Sequence, residues 1–223
     1  MTKEWSNWLC SAARDFHFEI NEERLRLLEG FVEELLNANQ ATNLTAITDP
    51  EEIAENLILD SIIPGKYLLG KTRILDLGTG AGFPGIPLKI VFPELNLTLI
   101  DAKRKKVNFL KYVIRQLRLE NIEAQQIRAE DLAIQGRRFD AVITRAVADL
   151  AHLIQIVFPL LEEKGALVAM KGSNYQAEID ALRQDSFLAI GKERYPVEKL
   201  KIDVETYRLP ISGIDRGLIF VRL

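Results

Sequence analysis

Apolar positions in the first 65 residues recur at three- and four-residue steps. Over residues 22–37, Leu25, Leu28, Phe31, Val32, Leu35 and Leu36 share one helical face, while Glu22, Glu23, Glu29, Glu33 and Glu34 largely occupy the others. The spacing predicts helices over 5–14, 22–37 and 50–63. Asp49 is placed to cap the third, Pro50 to sit in its first turn and Glu52 to complete a capping box. From Arg73 onward the pattern becomes apolar runs of about five residues separated by helical stretches, which predicts parallel strands covered on both faces. The expected strands are 74–77, 97–100, 123–127, 141–144 and 166–170, with helices at 87–92, 103–117, 150–162 and 175–186. Two extended runs, 195–207 and 217–223, flank Leu209-Pro210-Ile211-Ser212-Gly213 and predict a closing antiparallel hairpin. The fold class is α/β: a Rossmann-like, doubly wound, mostly parallel sheet with an antiparallel C-terminal edge, preceded by a helical cap.

A chain of 223 residues suits one main domain with a smaller appendage, expected here as a cap over 1–65 and a cofactor domain over 66–223. With 48% hydrophobic and 27% charged residues the composition is that of a soluble globular protein. Met1-Thr2-Lys3-Glu4-Trp5 does not begin a signal peptide, and no run reaches the roughly 18 apolar residues of a membrane span, so a cytoplasmic location is expected. Cys10, His17 and His152 are scattered, which leaves no internal disulfide, metal cluster or Cys/His nucleophile pair in view. The net charge of −3 conceals an asymmetry. Residues 1–60 carry 4 Lys/Arg against 13 Asp/Glu, and residues 61–223 carry 25 against 19, so the second part is where nucleic acid can bind.

Candidate chemistry concentrates behind the first strand. Ile74-Leu75-Asp76-Leu77 runs into Gly78-Thr79-Gly80-Ala81-Gly82, and Gly78, Gly80 and Gly82 allow a ligand close to the backbone. Asp101 ends the next strand, where such folds place the carboxylate that accepts both ribose hydroxyls. The G-x-G-x-G spacing departs from the dinucleotide G-x-G-x-x-G, and the hairpin ending is that of S-adenosyl-L-methionine methyltransferases by fold analogy, so a nicotinamide oxidoreductase ranks lowest among the alternatives. Lys103, Arg104, Lys105, Lys106, Lys111, Arg115 and Arg118 lie in one expected helix without an acid among them. The helix starts beside Asp101, a useful place for phosphates. Arg137, Arg138 and Lys171 are expected to extend that surface.

Asn43-Leu44-Thr45-Ala46-Ile47, Leu59-Asp60-Ser61, Asp76–Leu88 with its G-T-G-x-G-x-P-G-I-P-L core, Thr144-Arg145-Ala146 and Met170-Lys171-Gly172 together resemble the 16S rRNA guanine-N7 methyltransferases, also called glucose-inhibited division protein B. The resemblance implies a class I fold, S-adenosyl-L-methionine as cofactor, and a guanine N7 of 16S rRNA in the small ribosomal subunit as acceptor. It implies that Gly78 and Phe83 line the cofactor pocket, that Ala129 and Glu130 lie near the adenine, and that Arg145, behind the fourth strand, is a further cofactor contact that also borders the substrate RNA. Asn43 and Thr45 are equally a loop and cap for the third helix or substrate contacts, and Asp60 and Ser61 share that ambiguity. Where the family often has a histidine ahead of Asp-Ser, this chain has Leu57, which also suits a core.

N7 of guanine carries a lone pair and no proton, so its methylation needs no general base, and positioning can supply roughly 7–11 kcal/mol of the barrier reduction. Consistent with that, the chain shows no nucleophile elbow, paired-carboxylate motif or H-E-x-x-H, and no catalytic residue is assigned. Arg145 can alternatively pair with Asp140 or Asp149. Two other functions stay in view, a methyltransferase for a non-rRNA acceptor and a nonenzymatic rRNA-binding assembly factor. No coiled-coil or repeat pattern appears, so a monomer is expected, with folded RNA or ribosomal proteins sharing in target selection.

Overall fold

Helix α1 (Glu4–Asp15) and helix α2 (Glu22–Thr42) form where the helical spacing places them. The Asn21 side chain accepts the Arg24 N–H to start α2, and Asn43 ends it in the left-handed region at φ 49°. Asp49 then accepts the Glu51 and Glu52 N–H groups at 3.0 Å each, capping α3 (Pro50–Glu52). The expected third helix is not a plain one. It passes through a π-helical turn, Ile53–Leu59, before α4 (Asp60–Ile62) and a 3-10 turn, Ile63–Tyr67. The structure, a computed structural model, describes residues 4–145, 147–191 and 193–222. Ala146 of the Thr144-Arg145-Ala146 motif and the first three residues of the chain lie outside that range.

The sheet alternation follows: β1 (Ile74–Leu77), α5 (Gly85–Val91), β2 (Leu97–Asp101), α6 (Arg104–Gln116), β3 (Ile122–Gln126), α7 (Ala129–Ile134), β4 (Phe139–Arg145), α8 (Leu150–Val157), β5 (Leu161–Lys171) and α9 (Tyr175–Gln184). A short hairpin, β6 (Phe187–Ile190) and β7 (Glu193–Pro196), stands apart from the main sheet, and β8 (Lys201–Arg208) and β9 (Asp215–Arg222) close the chain. The main sheet has seven strands in the order β3-β2-β1-β4-β5-β9-β8. It is parallel through β5, with β9 antiparallel to both its neighbours, which is the expected doubly wound sheet with an antiparallel edge.

Three further elements differ from the pattern-based expectation. Helix α7 was not anticipated, because a six-residue helix burying only Ala129 and Leu132 is too short to display a period. Helix α8 stops at Val157, short of 162: Pro159 has no N–H to continue the ladder, and β5 begins at Leu161. The β6–β7 hairpin carried a legible signal, Gly191 followed by Lys192 between two short runs, and Gly191 takes φ 62°.

The two faces of the sheet bury separate cores. Ile74, Leu97, Leu99, Ile143, Val168 and Leu218 face one way and merge with Leu28, Phe31, Leu35, Ile53, Leu57 and Ile58 of the N-terminal helices. Leu75, Leu77, Val142, Leu167, Ile219 and Val221 face the other, against α7, α8 and α9. The cap therefore shares a core with the sheet, and Leu57, at the position of the family's histidine, is part of that core.

Candidate active site

Strand register brings the ends of β1 to β5 to one edge. Leu77 pairs with Ile100 and Thr144, Asp101 with Gln126, and Arg145 with Met170, so Gly78, Asp101, Ala129, Arg145 and Lys171 all sit at or just past the carboxyl ends. Chain order reverses between β1 and β4, and the loops behind those strands splay apart to form the crevice where open α/β sheets take ligands. Val147 crosses this crevice: a Cβ on Gly78, whose φ is 70°, would lie 2.6 Å from its Cγ2. A side chain at position 78 is thus excluded by conformation and by space.

The loop is pinned by its own backbone. Gly78 and Thr79 donate to Ile100 O at 3.0 and 3.1 Å, and Gly82 and Phe83 donate to Thr79 O at 2.9 Å each. Gly80 N–H donates to Asp101 Oδ2 at 3.1 Å, and Lys103 N–H donates to Asp101 Oδ1 at 2.7 Å, which orients the carboxylate at the crevice and leaves lone pairs on both oxygens. Gly85 lets α5 close on the strands: a Cβ there would lie 2.3 Å from Leu99 and 2.6 Å from Asp76 Oδ2. Phe83 is buried with its ring centroid 5.3 Å from that of Phe31, so its side chain ties the loop to α2. Ala129 is buried in the first turn of α7, and Glu130 beside it is exposed.

Asp76 escaped the sequence reasoning as a site residue, although it lies inside the glycine motif. It is fully buried, and burial raises its carboxyl to about 7, against the lowering influence of Thr79, the Gly85 N–H and Arg145. Its Oδ2 accepts from Gly85 at 2.9 Å, while Oδ1 has no hydrogen-bond partner of good geometry. An unsatisfied buried carboxylate oxygen beside a glycine loop suits an ammonium group, and Asp101 suits a ribose diol. This donor and acceptor set fits S-adenosyl-L-methionine, which carries both.

Arg145 pairs with neither Asp140 nor Asp149. Its Nη1 donates to Asn56 O at 2.7 Å in the π turn and lies 3.5 Å from Asp60 Oδ2. Asp140 instead accepts from Thr72 and Arg73 at the opposite edge, which lowers its pKa. Asp60 also receives the Tyr207 hydroxyl at 2.6 Å and lies 3.4 Å from Arg216 Nε. Burial, with Asp60 beside it, pushes Tyr207 well above the usual phenol range, so it stays a neutral donor. Ser61 is buried and donates to Leu57 O of its own helix.

The basic residues divide by location. Lys103, Arg104 and Lys105 are exposed at the start of α6, and Lys106 Nζ lies 3.8 Å from Asp101. Arg137 and Arg138 do not extend this surface, because they precede β4 and so lie at the amino edge. There Arg137 pairs with Glu123 at 3.4 Å. Lys171 is at the carboxyl edge but is buried, paired with Glu178 at 2.7 Å and bonded to Ala148 O, so it is not part of an exposed basic face.

Asn43 and Thr45 shape the turn after α2 rather than cap the third helix. Asn39, missed in the sequence, accepts the Leu44 and Thr45 N–H groups and donates to Thr45 O, while Thr45 Oγ1 accepts from Ile47. Gly30 lies against Leu117, and Glu34 hydrogen-bonds Tyr112, so α2 runs antiparallel to α6. At about 1.5 Å per residue, the Asn43–Thr45 turn reaches the level of Arg104 and the cofactor edge.

Among the described residues no group of His, Cys, Asp and Glu is placed to hold a metal, and no helix is long and apolar enough to cross a membrane. A family model described as rRNA small subunit methyltransferase G matches residues 24–204. A Clostridium botulinum (strain Okra / Type B1) protein named ribosomal RNA small subunit methyltransferase G is 38% identical over 207 residues, covering 91% of this chain and 85% of the relative. A namesake from Geobacter sp. (strain M21) is 36% identical over 214 residues, covering 96% and 95%. Among solved structures, a ribosomal protein L11 methylase from Lactobacillus delbrueckii subsp. bulgaricus superposes with TM-score 0.53 at 18% identity over 75% of this chain and 78% of its own. A precorrin-6y C5,15-methyltransferase from Geobacter metallireducens GS-15 gives 0.50 at 11% over 81% and 91%. These two likenesses show the fold.

Proposed function

Because the chain belongs to the rRNA small subunit methyltransferase G family, GidB, we propose that it transfers a methyl group from S-adenosyl-L-methionine to N7 of one guanine in 16S rRNA. The observation that carries this reading is the junction at Asp101. One carboxylate closes the glycine loop through Gly80 and opens the basic helix through Lys103, so the cofactor edge and the phosphate-binding edge are one place.

When bound, the cofactor supplies an electrophilic sulfonium methyl. Everything else falls to the chain. The Gly78–Phe83 loop and Asp101 would hold the ribose, Asp76 would face the ammonium, and Ala129 and Glu130 would border the adenine. Lys103, Arg104 and Lys105, with Asn43 and Thr45 across from them, neutralise and seat the RNA backbone. The acceptor nitrogen has no proton to lose, so orientation takes the place of a base. The acidic helical cap, 1–65, packs on the methyl-transfer domain, 66–223, through a shared core, in a cytoplasmic monomer.

The test is transfer of labelled methyl to 30S particles from cells lacking the gene, with mapping of the modified nucleotide. Label at a single guanine N7, absent with Gly78→Asp protein, is expected. Cofactor binding without label in RNA would overturn the assignment.

A further inference from the structure

Beyond the glycine crevice, a cavity of about 250 Å³ opens at the ends of β4 and β5, lined by Asp60, Arg145, Met170, Lys171, Gly172 and Arg216. Its charge does not balance internally. Lys171 is neutralised by Glu178, and the single carboxylate of Asp60 is shared by two guanidinium groups, Arg145 at 3.5 Å and Arg216 at 3.4 Å. Among the groups that line the cavity one positive charge is left over, Asp76 of the glycine motif being a further carboxyl that Arg145 influences, and the setting is partly buried: the two arginine side chains are 23% and 19% exposed, and that of Asp60 only 4%. Such a cation is poorly screened and attracts an anion more strongly than an exposed lysine does.

The arginines are also held in place. Arg145 Nη1 is anchored on Asn56 O, and Arg216 Nη2 lies 3.3 Å from Asn56 Oδ1. Tyr207, directly across from Arg216 in the β8–β9 pairing, fixes Asp60 from the far side. Nε and Nη2 of Arg145 and Nη1 of Arg216 have no hydrogen-bond partner among the described residues, so one edge of the Arg145 guanidinium and one nitrogen of Arg216 can still engage oxygens of one anion. Strands β4, β5 and β9 step away from β1 at about 4.8 Å each, which puts the start of β9 roughly 14 Å from the glycine loop. The cavity thus lies on the side of β4 away from the cofactor crevice, where an acceptor must enter.

We propose that Arg145 and Arg216, sharing Asp60 as counter-ion, form a cradle for a phosphodiester of the substrate RNA beside the target guanine, with Tyr207 as a positioning residue. The proposal rests on the rRNA reading above. A carboxylate offers the same oxyanion chemistry, and the cofactor's own carboxylate is the competing source.

The experiment measures binding of 30S particles over a salt series, and separately the affinity for S-adenosyl-L-methionine, for wild type, Arg216→Ala and Arg216→Gln. Arg216→Gln retains a polar group near Asn56 and gives the same readout should the alanine variant fail to fold. Loss of one phosphate contact is expected to lower RNA affinity roughly tenfold and to reduce the slope of log affinity against log salt by about 1, with cofactor affinity held within about twofold. Arg216→Lys is expected to restore the slope but not the full rate of transfer, because lysine keeps the charge without the two nitrogens that anchor it on Asp60 and Asn56. An unchanged slope and affinity in both neutral variants would overturn the cradle, and so would cofactor affinity falling in step with RNA affinity, which would assign the anion to the cofactor. Methyl transfer by wild type is recorded in parallel. Transfer to RNA with an unaltered variant slope sinks the cradle alone, wild-type binding without transfer sinks the enzyme reading, and wild type with no RNA affinity sinks both.

Discussion

Strand β4 carries arginines at both ends, and the two ends behave differently. At its start Arg137 lies exposed, paired with Glu123 and against the Phe139 ring at 5.8 Å, while Arg138 donates to Arg137 O. At its end, about 20 Å away, Arg145 is largely buried and tied to Asn56 and Asp60 of the cap. The residue type is the same, and the strand direction decides what it can do. An arginine at the amino edge meets solvent and gains little from a surface ion pair, about 0–1 kcal/mol. One at the carboxyl edge stands where the loops of a doubly wound sheet splay, next to the glycine crevice, and its position is set by partners from a different part of the chain.

The largest loss is expected at the crevice. Gly78→Val puts a β-branched side chain at φ 70° and within 2.6 Å of Val147, and cofactor affinity measured by calorimetry is expected to fall at least ~100-fold. Affinity within tenfold of wild type would remove the glycine loop from the site. Next in size, Arg145→Ala abandons Asn56 O and unbalances buried Asp60, a loss of about 2–5 kcal/mol for such a pair, and methyl transfer to 30S particles should drop by roughly 100-fold. Arg138→Ala at the other edge should stay within about twofold, within the small range of ordinary surface substitutions. Equal losses in the two variants would erase the distinction between the edges.

A smaller effect is expected from pH. In the native state the Asp76 carboxyl loses its proton only near 7, whereas in the unfolded chain it does so near the ordinary 3.8. The folded protein therefore holds the extra proton between those values, and this group's contribution to stability falls as pH rises through that window. The ionised form is the one that pairs with the cofactor ammonium, so cofactor affinity should rise about tenfold between about pH 6 and pH 8. Asp76→Asn should flatten that profile, and an unchanged slope in the variant would take Asp76 out of cofactor binding. The smallest change is expected at the exposed start of α6. Lys103→Ala or Lys105→Ala should each weaken RNA binding a few-fold and lower its salt slope by about 1, without altering cofactor affinity.

The glycine loop, Asp101 and the alternation of strands and helices in the cofactor domain were legible in the sequence because each is local. A parallel strand buried on both faces reads as an unbroken apolar run, and the loop behind it as glycines. What escaped was assembled over distance. Tyr207 and Arg216 meet Asp60 only through the closing hairpin, and Glu55, buried in the π turn, receives the Ile211 and Ser212 N–H groups across a similar separation. No periodicity encodes such pairings. The misplacement of Arg137 and Arg138 and the burial of Lys171 have a common origin: a count of basic residues records charge, but not which edge of the sheet or which side of its surface the charge occupies.

With the cap's turns and the closing hairpin around it, the carboxyl edge of the sheet takes both cofactor and RNA while the amino edge takes neither. Hydrogen exchange on the protein alone, with S-adenosyl-L-methionine, and with cofactor plus 30S particles separates the two edges. Cofactor is expected to protect residues 78–83 and 101–103, 30S particles to add protection over 43–47, 104–106 and 209–216, and residues 136–139 to exchange unchanged throughout. Protection by 30S particles centred on 136–139, with the carboxyl edge unaffected, would place the RNA at the wrong edge and overturn this assignment.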